Sequence, residues 1–184
     1  MFQAIWERLR FFFLYIVRFR GDNVAFLRFL GVRIGNHCQI STSIHNFGTE
    51  PWLVEVGNDV SITDGVIFLT HDGSSRLFRK KFPDMNVKYG NRFGPIQIHD
   101  NCFIGFNTII LPGISIGPDS IVGTGSVVTK NIPAGSVAAG NPARVICTLA
   151  EYIERYHQKS IPVEAQNRVA LRRELTKRFW GEER

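Results

Sequence analysis

A branched aliphatic residue recurs every six residues through the middle of the chain, and no other feature restricts the fold as strongly. The unbroken run is Ile98, Ile104, Ile110, Ile116, Val122 and Val128. A period of six matches neither the 3.6-residue period of an α-helix nor the alternation of an ordinary strand. It fits a short strand followed by a tight corner, with the aliphatic side chain pointing inward. Three such units make a triangular coil of about 18 residues, and stacked coils make a parallel β-helix.

The corners between these strands carry small residues and glycine. The residue four positions after each aliphatic residue is mostly small or β-branched, and the residue directly after it is often glycine, as in Ile104-Gly105 and Val122-Gly123. The same phrase occurs earlier, at 34–38 and 56–60. Glycine and asparagine are expected at such corners because they tolerate unusual backbone dihedral angles.

Residues 32–147 resemble the left-handed β-helix acyltransferases, in the branch that contains the sugar O-acetyltransferases and the xenobiotic acetyltransferases. The most specific stretch runs from 93 to 146, and its strongest markers are VGTGSVVTK at 122–130 and GNPAR at 140–144. The resemblance implies an all-β solenoid, a left-handed parallel β-helix. It also implies a homotrimer with active sites between adjacent subunits, and acetyl-CoA as the acyl donor.

Three segments fall outside the repeat. Residues 1–31 are predicted to form an amphipathic helical segment that either packs on the protein or lies in a membrane interface. Residues 73–93 interrupt the coils and are predicted to form an extruded loop rich in basic and aromatic residues. This loop either contacts a phosphorylated or lipid-linked acceptor or is simply solvated. Residues 148–184 are predicted to form a helical extension, with one helix from Leu149 and a second over Val163–Trp180.

The positive charge of the chain lies in its terminal segments. There are 22 Lys and Arg against 16 Asp and Glu, a formal net charge of +6. Residues 34–147 carry eight charges of each sign, so the excess lies in 1–33 and 148–184. A nucleic-acid-binding protein more often carries basic residues on its folded body, so no nucleic-acid partner is expected. The apolar, basic N-terminus favours peripheral contact of residues 1–20 with an anionic membrane, or packing on the trimer.

Neither a membrane span nor a disulfide framework is expected. The longest uncharged apolar run, 11–17, has seven residues, whereas a spanning helix needs about 20. Cys38, Cys102 and Cys147 lie far apart and fit neither a set of disulfides nor a zinc knuckle. The expected location is the cytoplasm, with the inner face of the membrane as a narrower hypothesis.

His71 is the candidate catalytic residue. It lies in the sequence THDG, at the junction of a coil and the interrupting loop, where rigid backbone would hold a side chain beside a cleft. The resemblance matches it to the general base of the family. A sugar hydroxyl attacks a thioester poorly, and a neutral imidazole that takes its proton in the transition state speeds the reaction by about 10²- to 10⁴-fold. Direct transfer in a ternary complex is expected. Asp72, Asp64 and a backbone carbonyl are alternative groups to orient the ring.

The remaining candidates bind the two substrates. The resemblance assigns five residues to the donor: Phe106, Thr124, Thr129, Lys130 and Arg144. Lys130 and Arg144 would bind the phosphates of CoA. Four residues are candidates for the acceptor: His45, Asn46, Asp64 and Asp72.

No metal site is expected. A γ-class carbonic anhydrase would share the architecture but needs three histidines at coil edges, and only His71 lies at such an edge. The sequence therefore predicts an acetyl-CoA-dependent O-acetyltransferase acting on a sugar or glycan, with bacterial surface polysaccharide as the setting. The alternatives are an N-acetyltransferase of an amino sugar or antibiotic, and a non-catalytic β-helix scaffold.

Overall fold

The six-residue repeat folds into three parallel sheets, one for each side of a triangular coil. The computed structural model describes residues 14–85 and 90–181. Sheet 1 contains β1 (Arg33–Ile34), β3 (Val54–Val56), β8 (Ile96–Ile98) and β11 (Ser115–Ile116). Sheet 2 contains β2 (Gln39–Ile40), β4 (Ser61–Ile62), β9 (Phe103–Ile104), β12 (Ile121–Val122), β14 (Ser136–Ala139) and the antiparallel β15 (Arg144–Thr148). Sheet 3 contains β5 (Ile67–Phe68), β10 (Ile109–Ile110) and β13 (Val127–Val128).

Helix α1 (Asn23–Phe29) covers the first coil, where it packs against β1 and β2. The Asp22 side chain caps it by accepting a hydrogen bond from the N–H of Ala25 at 3.0 Å. Phe26 and Leu27 are fully buried. Of the predicted N-terminal helical segment, residues 1–13 lie outside the described residues, and a π-helical turn at 14–18 precedes α1. No helix in the described part of the chain is both long enough and apolar enough to cross a membrane.

The register of strand pairing gives the length of each coil. Val122 pairs with Ile104, 18 residues earlier, so three strands close one coil. The prediction of a parallel β-helix is therefore confirmed. Two earlier coils are longer: Ile62 pairs with Ile40, 22 residues earlier, and Ile104 pairs with Ile62, 42 residues earlier.

The longest coil contains the interruption of the repeat. Paired residues on either side of this coil are 42 residues apart, so it has 24 residues more than an 18-residue coil. These residues include β6 (His71–Asp72), α2 (Ser75–Lys81) and β7 (Arg92–Phe93). Strands β6 and β7 pair antiparallel, so the segment leaves and rejoins the coil through a two-stranded neck.

Inward-facing aliphatic side chains fill the interior of the coils. Each residue of the six-residue run is at most 1% exposed: Ile98, Ile104, Ile110, Ile116, Val122 and Val128. Full burial of such a side chain stabilises the fold by about 1.5–3 kcal/mol. In the earlier coils the rings of Phe47 and Phe68 stack with centroids 4.4 Å apart and are also fully buried.

Glycine and asparagine adopt positive φ at corners, as expected, since φ is 69° at Gly125 and 55° at Asn101, and the aspartate Asp59 also has φ of 55°. The glycine directly after the aliphatic residue is needed for a close approach instead. A Cβ on Gly57 would lie 2.2 Å from Oδ1 of Asp100 and 2.8 Å from its backbone nitrogen. Successive coils therefore pack too closely there for any side chain.

The described residues divide into two units after residue 150. The second unit contains most of α3 (Leu149–Lys159) and all of α4 (Arg168–Trp180). The predicted start of the second helix at Val163 is wrong, because α4 begins at Arg168. The Asn167 side chain accepts hydrogen bonds from two backbone N–H groups of the first turn, at 2.9 and 3.0 Å, which fixes that start.

Candidate active site

His71 lies on β6, directly after the chain leaves sheet 3. Phe68 ends β5 with its side chain in the core, three residues before His71. Strand β7 places Phe93 opposite His71, and the two ring centroids are 5.5 Å apart. The imidazole is therefore held at the edge of the rigid coils, in the neck of the interrupting segment.

Glu50 fixes the other side of the imidazole. Nδ1 of His71 lies 2.8 Å from Oε2 of Glu50. The hydroxyl of Thr70 donates to the same oxygen at 2.7 Å, and the hydroxyl of Thr49 donates to Oε1 at 2.7 Å. The Glu50 side chain is 18% exposed and that of His71 is 34% exposed, so the pair is partly shielded from water.

The environment of Glu50 keeps its carboxylate ionised. Burial acts to raise the pKa of this carboxyl group, but hydrogen bonds from Thr70, Thr49 and His71, together with attraction to the imidazole, outweigh burial and lower the pKa from 4.5 to about 2. An ionised carboxylate can only accept hydrogen bonds. Nδ1 of His71 is therefore the protonated, donating nitrogen of the neutral ring.

This tautomer leaves Nε2 with a free lone pair. Among the described residues, no hydrogen-bond partner lies at Nε2 of His71, whose ring makes one hydrogen bond, through Nδ1. An imidazole with Nδ1–H bound to a carboxylate can accept a proton at Nε2, and the carboxylate then stabilises the imidazolium. The arrangement is suited to general-base catalysis.

Two cavities flank His71. The larger, of about 620 Å³, is lined by Leu30, Ile44, His45, Gly48, Thr49, Pro51, Trp52, Phe68, Leu69, Thr70 and His71. The smaller, of about 310 Å³, is lined by Leu69, His71, Asp72, Gly73, Arg92, Leu111, Pro112 and Thr129. The larger cavity includes the segment between β2 and β3, and the smaller extends across the ends of β10 and β13. His71 therefore lies between a cavity towards the N-terminal coils and a cavity towards the later coils.

Two of the residues that the resemblance assigns to the donor lie on the corner between sheets 2 and 3. Phe106 follows β9 and Thr124 follows β12, and the N–H of Gly125 donates to the carbonyl of Phe106 at 2.7 Å. Asp64 lies on the same corner, one coil earlier, where its carbonyl accepts the N–H of Asn107 at 3.2 Å.

The other donor candidates lie nearer to His71 or at the last hairpin. Thr129 and Lys130 follow β13, on the same edge of sheet 3 as His71, and Thr129 lines the smaller cavity. Arg144 begins β15, is exposed, and donates from Nη1 to the carbonyl of Ala143 at 2.9 Å. The structure thus brings Thr129 close to the candidate base and leaves Phe106 and Thr124 at the opposite edge of sheet 3.

The acceptor candidates are also divided. The exposed His45 lines the larger cavity together with His71. Asn46 donates from Nδ2 to Thr42 Oγ1 at 2.9 Å and does not line that cavity.

The two aspartates have local roles in turns and do not orient the imidazole. Oδ1 of Asp72 accepts the N–H of Ser74 at 2.8 Å, a bond that lowers the pKa of this carboxyl group. Oδ1 of Asp64 accepts the N–H of Gly65 at 2.8 Å. In place of these aspartates, and of a backbone carbonyl, Glu50 occupies Nδ1. In the described part of the chain, no group of three or more His, Cys, Asp and Glu side chains is arranged to hold a metal ion.

The sequence offered little signal for Glu50. It lies 21 residues before His71, in the segment that lengthens the first coil to 22 residues. The repeat gives no position for a residue in such an insertion. The one available signal was an acidic residue outside the repeat, in the sequence TEPW at 49–52.

Comparisons with known proteins agree with this fold. Residues 95–130 match the family described as the hexapeptide repeat of succinyl-transferase. Protein CapG of Staphylococcus aureus is 47% identical over 127 residues, which are 68% of this chain and 71% of CapG. Galactoside O-acetyltransferase of Escherichia coli (strain K12) is 45% identical over 71 residues, which are 39% of this chain and 35% of that protein.

A solved structure extends the comparison. It is the hexapeptide-repeat-containing acetyltransferase of Vibrio cholerae O1 biovar eltor, complexed with acetyl coenzyme A, with a TM-score of 0.51 and 28% identity. The match covers 65% of this chain and 61% of that one. This chain therefore spans less than two thirds of the Vibrio and Escherichia proteins, but more than two thirds of CapG.

Proposed function

We propose a function from one premise, which is that this chain belongs to the hexapeptide-repeat acyltransferase family. On that premise, the protein transfers an acetyl group from acetyl-CoA to a hydroxyl of a sugar or glycan, with His71 as general base. The observation that carries the proposal is the His71 imidazole, which Glu50 binds at Nδ1, which has no hydrogen-bond partner at Nε2 among the described residues, and which lines two cavities. The O-acetyl specificity is supported by the similarity to galactoside O-acetyltransferase.

The proposed reaction is a direct transfer in a ternary complex. The acceptor oxygen attacks the thioester carbonyl while Nε2 of His71 takes its proton, and Glu50 stabilises the imidazolium. The tetrahedral intermediate collapses by breaking the carbon–sulfur bond. The CoA sulfur then takes the proton from Nε2, which returns the base to its starting form.

The donor is proposed to occupy the smaller cavity. Thr129 lines this cavity beside His71, and Lys130 follows it at the same edge of sheet 3. Arg92 adds a cation to the lining. The cations of Lys130 and Arg144 suit the phosphates of CoA, with the lysine as a point charge and the arginine as a two-pronged donor. The similarity to an acetyltransferase complexed with acetyl coenzyme A supports this donor.

The active unit is proposed to be a homotrimer with its sites between subunits. The outward side chains of sheet 3, Ile67, Ile109 and Val127, are all aliphatic. Those of sheet 1 are polar, and they include an ion pair of Arg33 with Glu55 at 2.9 Å. An apolar outer face favours contact with another copy. His71 and Phe106 lie at opposite edges of this face, so a site that uses both would take one edge from each of two copies.

Placing a charge on sheet 3 is expected to dissociate the trimer. In Ile109→Arg, an unpaired guanidinium would enter the apolar contact, so a monomer is expected, with loss of nearly all transfer activity. Light scattering after size-exclusion chromatography measures the mass. The control is Gln97→Arg on sheet 1, which should stay trimeric. A wild-type monomer, or an unchanged mass for Ile109→Arg, would contradict the proposed interface.

The proposed cellular setting is the synthesis of a bacterial surface polysaccharide in the cytoplasm. We further propose a lipid-linked acceptor and contact of residues 1–20 with an anionic membrane. Co-sedimentation with anionic vesicles tests the last of these, since a chain without residues 1–20 should no longer bind.

Acceptor-dependent release of CoA tests the proposed activity. The protein is mixed with acetyl-CoA and a panel of sugars and amino sugars, and free thiol is followed. Faster release with a sugar that lacks an amine, together with an O-acetyl ester in the product, is the expected result. Transfer to amines alone would favour the N-acetyltransferase. Absence of any acceptor-dependent release would favour a non-catalytic scaffold.

A further inference from the structure

The larger cavity has the chemistry of a carbohydrate site. Most of its lining residues are apolar: Leu30, Ile44, Pro51, Trp52, Phe68 and Leu69. Its volume of about 620 Å³ lies in the range typical of small-molecule sites. It shares Leu69 and His71 with the smaller cavity, so a ligand in it would reach the candidate base from the side opposite the donor.

Trp52 is the one large aromatic side chain of the described lining that is freely exposed. It is 58% exposed, whereas Phe68 is fully buried in the core. Gly31, with φ of +97°, lies directly beside Trp52. A Cβ added to Gly31 would be only 3.1 Å from the Cβ of Trp52. The tight turn after α1 therefore packs directly against the backbone and Cβ of Trp52, while the side chain remains largely exposed.

The larger cavity carries no charged side chain among its described lining residues, apart from any charge on the two imidazoles. The Glu50 carboxylate lies behind His71, and the hydroxyls of Thr49 and Thr70 and Nδ1 of His71 already bind it. In contrast, the smaller cavity contains Asp72 and Arg92. A cationic amino sugar or an anionic uronic acid would enter the larger cavity without a counter-ion, which is costly.

We propose that the larger cavity is the acceptor site, that Trp52 is the platform on which the acceptor ring stacks, and that the acceptor is an uncharged sugar. This inference rests on the proposed acetyl transfer and narrows its substrate class. The C–H face of a pyranose ring is apolar and covers the indole face, while the hydroxyl groups at the ring edge remain free for hydrogen bonds. His45, an exposed residue of the lining, is one side-chain partner available to those hydroxyls. Stacking at Trp52 would direct one hydroxyl towards Nε2 of His71.

The test compares neutral and charged acceptors of the same ring configuration, and variants of the platform residue Trp52. Wild-type enzyme is assayed with acetyl-CoA and matched glucose, galactose and mannose series, each as the neutral sugar, the 2-amino sugar and the uronic acid. At least one neutral sugar should be acetylated with a kcat/KM at least tenfold above those of its charged counterparts. Trp52→Ala should raise KM for that sugar at least tenfold, with kcat and the KM for acetyl-CoA changed less than threefold. Trp52→Phe should bring the KM for that sugar most of the way back to the wild-type value.

Two further measurements separate a platform from a structural role. Saturation-transfer NMR on the CoA-bound enzyme should show contact with the sugar ring protons in wild type and not in Trp52→Ala. The matched control is Trp180→Ala, because Trp180 lines neither cavity, and it should leave the KM for the sugar unchanged.

The outcomes distinguish this inference from the proposed function. If a sugar is acetylated but Trp52→Ala changes its KM less than twofold, or if charged sugars are used equally well, the inference is wrong and the proposed function stands. If no sugar of any charge accelerates CoA release, the proposed function is wrong and the inference fails with it.

Discussion

His71→Asn is expected to lower kcat for acetyl transfer by about 10²- to 10⁴-fold, with little change in the KM for acetyl-CoA. Asparagine keeps a short side-chain amide that can still donate to Glu50, so the hydrogen bond at 2.8 Å has a substitute. It has no group that can accept a proton at the position of Nε2. The loss therefore measures base catalysis more than packing. Steady-state thiol release with a productive acceptor gives both constants.

The matched control is His37→Asn. His37 lies on a corner of the first coil, with its side chain 82% exposed and its Nδ1 3.3 Å from Oδ1 of Asp59. Its φ of 56° is one that asparagine adopts readily. Its kcat should equal that of wild type within twofold. A His71→Asn enzyme with more than a third of the wild-type kcat would exclude the imidazole as the base.

Glu50→Gln is expected to lower kcat by about 10²-fold or more, through the tautomer of His71. A glutamine amide can donate to Nδ1, which moves the ring proton to Nε2 and removes the lone pair that the reaction needs. An NH2 group at the position of Oε2 also conflicts with the hydroxyl of Thr70, which donates to that oxygen, whereas Thr49 can still donate to the remaining carbonyl oxygen. Nitrogen chemical shifts of His71 report the tautomer directly: Nδ1–H in wild type and Nε2–H in the variant.

The control for this substitution is Glu55→Gln, which makes the same change on the outer face of sheet 1, where Glu55 pairs with Arg33. Its kcat and the His71 tautomer should match wild type. A Glu50→Gln enzyme with wild-type kcat and an unchanged tautomer would exclude Glu50 as a positioning residue.

Glu50 also predicts how stability depends on pH. Its pKa is about 2 in the folded protein, below the ordinary value of 4.5, so its ionised form stabilises the fold. That contribution is complete above about pH 4.5 and is lost as pH falls from there to about 2. In urea unfolding, the stability difference between wild type and Glu50→Gln should therefore shrink as the pH falls from about 4.5 to about 2.

The repeat made the coils predictable, whereas the departures from it needed the structure. A six-residue period specifies inward positions, so Ile104 and Val122 could be placed in the core and one coil apart. Glu50 lies in an insertion, where no periodicity relates its position to that of His71. The contact of Glu50 with His71 depends on how two irregular segments, distant in the sequence, pack against each other.

Local chemistry misled the prediction in a similar way. Asp72 follows His71 directly, which made it a candidate to orient the ring, but neighbouring residues on a strand point to opposite faces. Its carboxylate binds the N–H of Ser74 instead. The start of α4 was missed because Asn167, which caps it, lies within the stretch assigned to helix. The interpretation of His71 rested on its place at the edge of the repeat, which the structure preserves, and on its match to the general base of the family that the sequence resembles.

In the proposed mechanism, the acetyl group moves from sulfur to the acceptor oxygen beside Nε2 of His71, where the two cavities meet. A crystal structure of the protein with CoA tests it most directly. We expect the sulfur to lie within hydrogen-bond reach of Nε2 and the pantetheine arm to pass Thr129 in the smaller cavity. The larger cavity should stay open for the acceptor. CoA bound with its sulfur remote from His71, or with its arm filling the cavity that contains Trp52, would contradict it.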